Sequence, residues 1–290
     1  MKQIEEFFRE APPGPLYHYT GIGSVLGMAQ SQVIWASHAY YLNDSQEVVH
    51  ACQILQDHIE PRLIFGNRPD TEIQFLKQLS KWIKTFNQNP YNIFIFSLSE
   101  ENSLLSQWRS YTPHGKGVSV GFSPNTIRSI AEDSEAVLVK CAYEPAQQNE
   151  IIHSLLEKIL ITFNTRKATI DLSSEHIDNL YFGFLEEFRQ DFLRVLCIIK
   201  HPAFKEEKEW RIISRYFPND TTPELKFREG ASMLVPYIQF KLPSDGKIFE
   251  KVFLGPSQHA NLSMSALAMY LSNKGLCSHT VNCDIPYREW

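Results

Sequence analysis

The strongest chemical signal in the chain is the run Glu206-Glu207-Lys208-Glu209-Trp210-Arg211. In a strand, successive side chains point to opposite faces. Glu207, Glu209 and Arg211 then share one face, and Trp210 and Ile212 share the other. Trp210 and Ile212 can anchor such a strand in a core, which holds the carboxylates on a rigid element. Two carboxylates on one face raise each other's pKa unless a cation such as Arg211 intervenes. Glu209 is the first candidate for stabilising a developing positive charge, and Glu207 is the next. As an isolated carboxylate in a cleft, Glu209 is expected to accept a change to Gln with little loss of stability. The same run also reads as a solvated, charged strand edge. Glu206-x-Lys208 fits half of a metal-dependent nuclease core as well, in which a carboxylate holds Mg²⁺ and the lysine positions water. That core needs an Asp on the preceding strand, and residues 193–205 contain none.

Four further groups carry candidate chemistry. In Tyr17-His18-Tyr19-Thr20, alternation sends His18 and Thr20 to one face, where an imidazole and a hydroxyl can serve a ribose or an amide. A satisfied structural histidine is the competing reading. Asn43-Asp44-x-x-Glu47 reads as a capping box, with Asp44 as the helix cap and Glu47 reaching back to its backbone. Asp44→Ala should then cost about 1 kcal/mol. Asn43, just before the helix, is left without a structural role. Ser97 and Ser99 share a face at the end of an apolar strand and either cap the next turn or line a cleft. Trp108 and Tyr111 have helical spacing, which favours packing. The following Gly115-Lys116-Gly117 reads as a hairpin turn, although its N–H groups and Lys116 could meet a phosphate. Gly21-Ile22-Gly23 is a poor dinucleotide fingerprint, because LYHYT before it is too polar for a buried parallel strand.

These groups must be positioned by a globular chain. It has 290 residues, 43% hydrophobic and 21% charged, with a formal charge of -5. That balance supports a full core and argues against a general nucleic-acid coat protein. Cys52, Cys141, Cys197, Cys277 and Cys283 are scattered, without a CxxC pair, and read as free thiols in a reducing compartment. The first residues lack an apolar signal core and no run approaches a membrane span, so a cytoplasmic protein without membrane contact is expected.

Periodicity predicts a short helix within 1–15, strands at 16–20 and 33–37 around a helix at 21–30, and helices at 44–60 and 71–86. Strands follow at 91–99, 117–122 and 137–143, then helices at 150–164 and 176–200. Strands at 209–216, 232–240, 248–255 and 279–285 complete the chain, with a helix capped by Asn261 and ending at Gly275. Blocks of strands and helices, rather than strict alternation, predict an α+β fold with a mixed, largely antiparallel sheet and flanking helices. The whole of 1–290 reads as one domain, with 1–15 as an N-terminal extension and 150–200 as a helical insertion.

In this order, LYHYT, LNDSQE, FSLSEENSLLSQWRSYTPHGKGVSVGF, EKEWRI, VFLGPS and IPYR resemble the bacterial domain-of-unknown-function 2971 family, over residues 16–288. That family has no settled activity to carry over. A weaker resemblance is to the ADP-ribosyltransferase fold. Those enzymes carry a His or Arg on the first strand, a Ser or Tyr on a middle strand and a catalytic Glu on a later one. His18, Ser97 or Ser99, and Glu209 fill that order, and Glu207-x-Glu209 has the spacing of arginine-modifying members. The chain mixes subclasses, which leaves the target open. The resemblance implies NAD as substrate, with no metal. The nicotinamide amide lies against the first strand, near Thr20. His18 donates to a ribose, and Glu209 holds the nicotinamide ribose and stabilises an oxocarbenium-like transition state. Tyr19 or Tyr111 stacks on the ring, and Arg211 or Arg288 meets the pyrophosphate. Asn43, Ser97 and Ser99 complete the expected cofactor-binding set. The acceptor, whether macromolecule, small molecule or water, is not indicated. A non-catalytic module that binds a nucleotide and signals is the other expectation.

Overall fold

Along Phe94–Ser99, Phe94, Phe96 and Leu98 alternate with Ile95, Ser97 and Ser99, and this strand organises the sheet. The computed structural model describes residues 3–42, 47–65, 67–86, 88, 91–171, 176–218, 225–230, 232–244, 247–277 and 279–285. The chain opens with α1 (Ile4–Phe7), β1 (Leu16–Gly21), α2 (Ile22–Ser31), β2 (Val33–His38), α3 (Glu47–Ile64), α4 (Asp70–Thr85) and β3 (Phe94–Ser99). It continues with α5 (Leu105–Tyr111), β4 (Gly117–Phe122), α6 (Pro124–Asp133), β5 (Val137–Lys140), α7 (Pro145–Arg166), α8 (Phe182–Glu186) and α9 (Arg189–Leu196). The last elements are β6 (Glu209–Ile213), β7 (Lys226–Glu229), β8 (Leu234–Lys241), β9 (Lys251–Leu254), α10 (Ala260–Asn273) and β10 (Thr280–Asn282).

The strands form one sheet in the order β10-β9-β4-β1-β3-β2-β8-β7, with β6 also paired to β3 and β5 to β6. Among these ladders β9–β10 is parallel and the others are antiparallel. The fold is thus α+β with a mostly antiparallel sheet and flanking helices. One edge of β3 pairs with β6 from Ile95↔Ile213 to Ser99↔Glu209. Its other edge is shared. β2 meets it at Phe94 and Ile95, and β1 meets it at Ser99. β1 and β2 therefore splay apart, and the middle of that edge lies open between them.

The alternation along β3 divides the core. Phe94, Phe96 and Leu98 pack with Trp210, Ile212, Val118, Val120 and Phe122 under α2, α6 and α10. Ile95 and Ile213 face the helical layer of α3, α4, α7, α8 and α9, whose centre includes Phe75, Trp82, Phe86, Phe163 and Phe192. Full burial of each large apolar side chain contributes roughly 1.5–3 kcal/mol, so these two clusters dominate stability. α1 is docked on the helical layer through the buried Ile4 and an ion pair of Glu5 with Lys158.

Several expectations differ from the structure, among them the cap of the last helix: α10 begins at Ala260 after His259, so Asn261 lies inside it. The helix expected at 176–200 is broken into a 3₁₀ turn at Ile177–Asn179, then α8 and α9. The Gln78 side chain of α4 accepts from the Tyr181 N–H at 2.8 Å, so a tertiary contact takes a backbone donor at the break. The apolar stripe is intact, with Phe184, Leu185, Phe192, Leu193 and Leu196 buried. The Gly115-Lys116-Gly117 turn joins helix α5 to strand β4 and is not a hairpin. The strand expected from Glu206 starts only at Glu209. Pro202–Glu207 is a 3₁₀ turn, and Lys208 turns the chain through a left-handed conformation with φ of 42°. No helix among the described residues is long and apolar enough to cross a membrane.

Candidate functional site

The left-handed Lys208 breaks the simple alternation and still brings Glu207 and Glu209 to one side. Ser99 on β3 donates its hydroxyl to the Glu207 carbonyl at 2.7 Å and accepts the Glu101 N–H at 3.0 Å. The Tyr143 hydroxyl accepts the Glu209 N–H at 3.0 Å. Trp210 and Ile212 fill the core behind the strand, so Glu209 and Arg211 are presented on the opposite face. On that face the sheet changes along its strands from apolar (Ile95 and Ile213) to polar (Ser97 beside Arg211, then Ser99 beside Glu209).

Three carboxylates and two cations meet there. Lys200 Nζ donates to Glu207 Oε2 at 2.5 Å and to Glu209 Oε2 at 2.7 Å, and lies 3.4 Å from Glu47 Oε1. Arg211 donates from Nε and Nη2 to Glu209 at 2.8 and 3.1 Å, and from Nη1 and Nη2 to Glu47 at 2.8 and 2.9 Å. Its Nη1 also reaches the Cys197 carbonyl. All five residues are at least nine-tenths buried. Burial pushes the Glu209 carboxyl up, but the Arg211 and Lys200 charges outweigh it and hold Glu209 down at about 2. Glu207 moves the other way. Burial raises its carboxyl more than Lys200 lowers it, and the Glu209 charge raises it further. Burial also opposes the charge on Lys200, yet Glu209 and Glu47 keep its pKa above the ordinary lysine value.

This cluster floors a cleft of about 920 Å³ between the splayed β1 and β2. His18, Thr20, Ser97 and Tyr111 line it with Glu207, Glu209 and Arg211. His18 and Ser97 meet directly. His18 Nδ1 lies 2.9 Å from the Ser97 carbonyl, and its ring stacks on Phe96 at 4.3 Å. A carbonyl only accepts, so Nδ1 carries the proton in this bond. Burial holds the imidazole down at about 4, with the Arg228 charge adding to it against the Ser97 bond. The ring is neutral at pH 7, and Nε2 keeps a lone pair. His18 is then an acceptor toward a ligand hydroxyl, where a donor was expected. The Tyr111 hydroxyl donates to Glu207 Oε1 at 3.3 Å, and its side chain is 40% exposed.

The other expected residues are placed differently. Tyr19 lines the cleft, but it is buried against Trp108, and its hydroxyl bonds the Glu101 carbonyl and the Leu104 N–H. Gly255 makes that packing possible, since a Cβ there would fall 2.9 Å from the Trp108 ring. Tyr111 is thus the tyrosine open to stacking. Ser99 is fully occupied in holding the 207 turn. Arg211 spends all five donors on Glu47, Glu209 and Cys197, so it has none left for a pyrophosphate. Both carboxylate oxygens of Glu47 bind Arg211, and the cap that Glu47 was expected to reach lies outside the described residues. Asn43, Asp44 and Arg288 lie outside the described residues. Glu206 and Lys208 are exposed, with Lys208 paired to Glu101, and neither lines the cleft. Among the described residues, no group of three His, Cys, Asp or Glu side chains is placed to hold a metal ion.

Lys200 is the residue that the motif reading passed over, and Glu47 enters it only as part of a capping box. Lys200 ends the run Leu196-Cys197-Ile198-Ile199, and a lysine closing a buried apolar run is a signal for a paired, buried cation. Residues 107–212 match the family model described as a protein of unknown function, DUF2971. The match spans α5 to β6 and so includes Tyr111, Lys200, Glu207, Glu209 and Arg211. No curated protein and no solved structure matches the chain.

Proposed function

We propose that this member of the DUF2971 family is an ADP-ribosyltransferase-like enzyme that takes NAD as its substrate in the cleft between β1 and β2. The observation that carries this reading is the divergence of two adjacent carboxylates. Glu209, bonded by Arg211 and Lys200, is held down at about 2, while Glu207, bonded by Lys200 and Tyr111, is raised by burial from its ordinary value. Environments that push neighbouring carboxyls apart assign them different roles.

Glu209 supplies a fixed negative charge at any working pH. It stabilises positive charge developing on the ribose as the C1′–N bond breaks and nicotinamide departs with the bonding pair. Glu207, with its raised pKa and an oxygen that among the described residues is engaged by Tyr111 alone, takes the proton of the attacking hydroxyl while the new C1′–O bond forms. Lys200 spaces the two carboxylates and keeps Glu209 charged. His18 accepts a ribose hydroxyl at Nε2, and Tyr111 flanks the floor. The cleft volume is in the range of small-molecule sites.

Calorimetric titration of the wild-type protein with NAD in EDTA tests the reading. Saturable binding without metal is expected. No binding would remove NAD as substrate. Mg²⁺-dependent cleavage of nucleic acid would replace the transferase with a nuclease.

A further inference from the structure

One wall of the cleft, carried by β2 and β7, has no part in the proposed bond cleavage. Trp35 and Ser37 are two residues apart on β2 and so share a face. Trp35 stacks on Tyr237 of β8 with ring centres 4.5 Å apart and an interplanar angle of 26°, yet it is 44% exposed. One face of the indole is covered and much of the ring remains open. Ser37 pairs with Tyr237 in the ladder, and its hydroxyl accepts from Arg228 Nη2 at 3.3 Å. Among the described residues this is the bond that Arg228 makes, and no carboxylate pairs with it. Trp35, Ser37 and Arg228 all line the cleft.

Arg228 is on β7, the outer strand at this end of the sheet. An edge strand commonly carries charge to block pairing with another chain. That role needs the guanidinium in solvent. Here it is half-buried, turned inward onto Ser37, and close enough to disfavour charge on His18. Because Arg211 is consumed by Glu47 and Glu209, Arg228 is, among the described residues, the arginine of the cleft left with donors to offer.

From this geometry we infer that Trp35 and Arg228 form a second subsite for a nucleoside 5′-phosphate, with the base on the indole and the phosphate on the guanidinium. An open indole over a fixed aromatic neighbour is a stacking platform for a nucleobase. A guanidinium with free donors matches phosphate oxygens in bidentate fashion. Trp35 and Ser37, the residue Arg228 bonds, are about 7 Å apart along the strand, on the scale that separates a base from its 5′-phosphate. The assignment extends the NAD reading, in which this subsite takes the adenosine phosphate half while Glu207 and Glu209 face the nicotinamide ribose.

Titrations with adenosine 5′-phosphate, adenosine and ribose 5-phosphate, on wild type and on Trp35→Leu and Arg228→Gln, test it. Both side chains are at least partly exposed, and circular dichroism checks that the variants are folded. Each variant should weaken adenosine 5′-phosphate binding by about tenfold or more. Adenosine should respond to Trp35→Leu alone, and ribose 5-phosphate to Arg228→Gln alone. Adenosine 5′-phosphate binding that is absent in wild type, or that stays at the wild-type affinity in both variants, overturns the subsite. Adenosine 5′-phosphate binding with this pattern but without release of nicotinamide from NAD upholds the subsite and defeats the transferase. Nicotinamide release with affinities untouched by either variant does the reverse.

Discussion

The Lys200 ammonium lies 2.7 Å from Glu209 Oε2, with both side chains almost fully buried. Such a pair does not by itself signal stability, because taking two charges out of water costs several kcal/mol per ion. Its meaning lies in what it shares: the same ammonium bonds Glu207, and Arg211 bonds the far side of Glu209. Three carboxylates against two cations leave the floor of the cleft one negative charge in excess when all are ionised.

Lys200→Met should therefore be severely destabilising. It leaves Glu47, Glu207 and Glu209 with Arg211 as their one cation, and breaking a buried pair costs about 3–5 kcal/mol. Urea unfolding checks this through a lowered midpoint. A loss under about 1 kcal/mol would mean that water reaches the cluster and screens it.

The two glutamates should behave differently. Glu209→Gln removes a carboxylate that two cations favour in its charged form, so a loss on the order of 3 kcal/mol is expected. This reverses the expectation from sequence that stability would hardly change. Glu207→Gln removes a carboxylate that burial already disfavours and relieves its repulsion with Glu209, so its cost should be much smaller. Equal losses in urea unfolding would show that the divergence between the two carboxyls is absent in solution.

The sequence made the face of Glu209, Arg211 and Trp210 legible, because a strand's period of two is fixed by backbone geometry. It made α4 legible to within one residue, since an amphipathic stripe buries one face whatever it packs against. It could not show the partners. Glu47 and Arg211 are 164 residues apart in the chain, and a capping signature explained Glu47 locally. Arg211 looked free for phosphate because its saturation depends on Glu47 and on a carbonyl of Cys197. The splay of β1 from β2, which opens the cleft, was equally hidden, as it arises from the way two strands share one edge of β3.

Acid should weaken the fold from pH 6.5 downward. Burial holds both His18 and His38 down at about 4, from an ordinary value of 6.5. Between those values the unfolded chain binds protons that the native state refuses. Stability is then lost as pH falls from 6.5 toward 4, at up to about 1.4 kcal/mol per pH unit for each group. Glu207, raised by burial, opposes this in part, because its native carboxyl protonates first. Glu209 adds its own loss only below 4.5, down to about 2. His38→Asn keeps an acceptor for the Tyr40 N–H that Nδ1 now receives and removes one titration. Its melting temperature should fall less steeply between pH 6.5 and 4.5, and a slope identical to wild type would remove His38 from the account.

Release of nicotinamide from NAD, followed by chromatography in EDTA, tests the central claim most directly. The wild-type protein, with water or a cell extract as the source of acceptor, should release nicotinamide without a divalent cation. Glu209→Gln, assayed at a temperature where it remains folded, should be slower by about 10²-fold or more, with little change in NAD affinity. A wild-type protein inert toward NAD under all of these conditions, or a Glu209→Gln variant turning over at the wild-type rate, would contradict it.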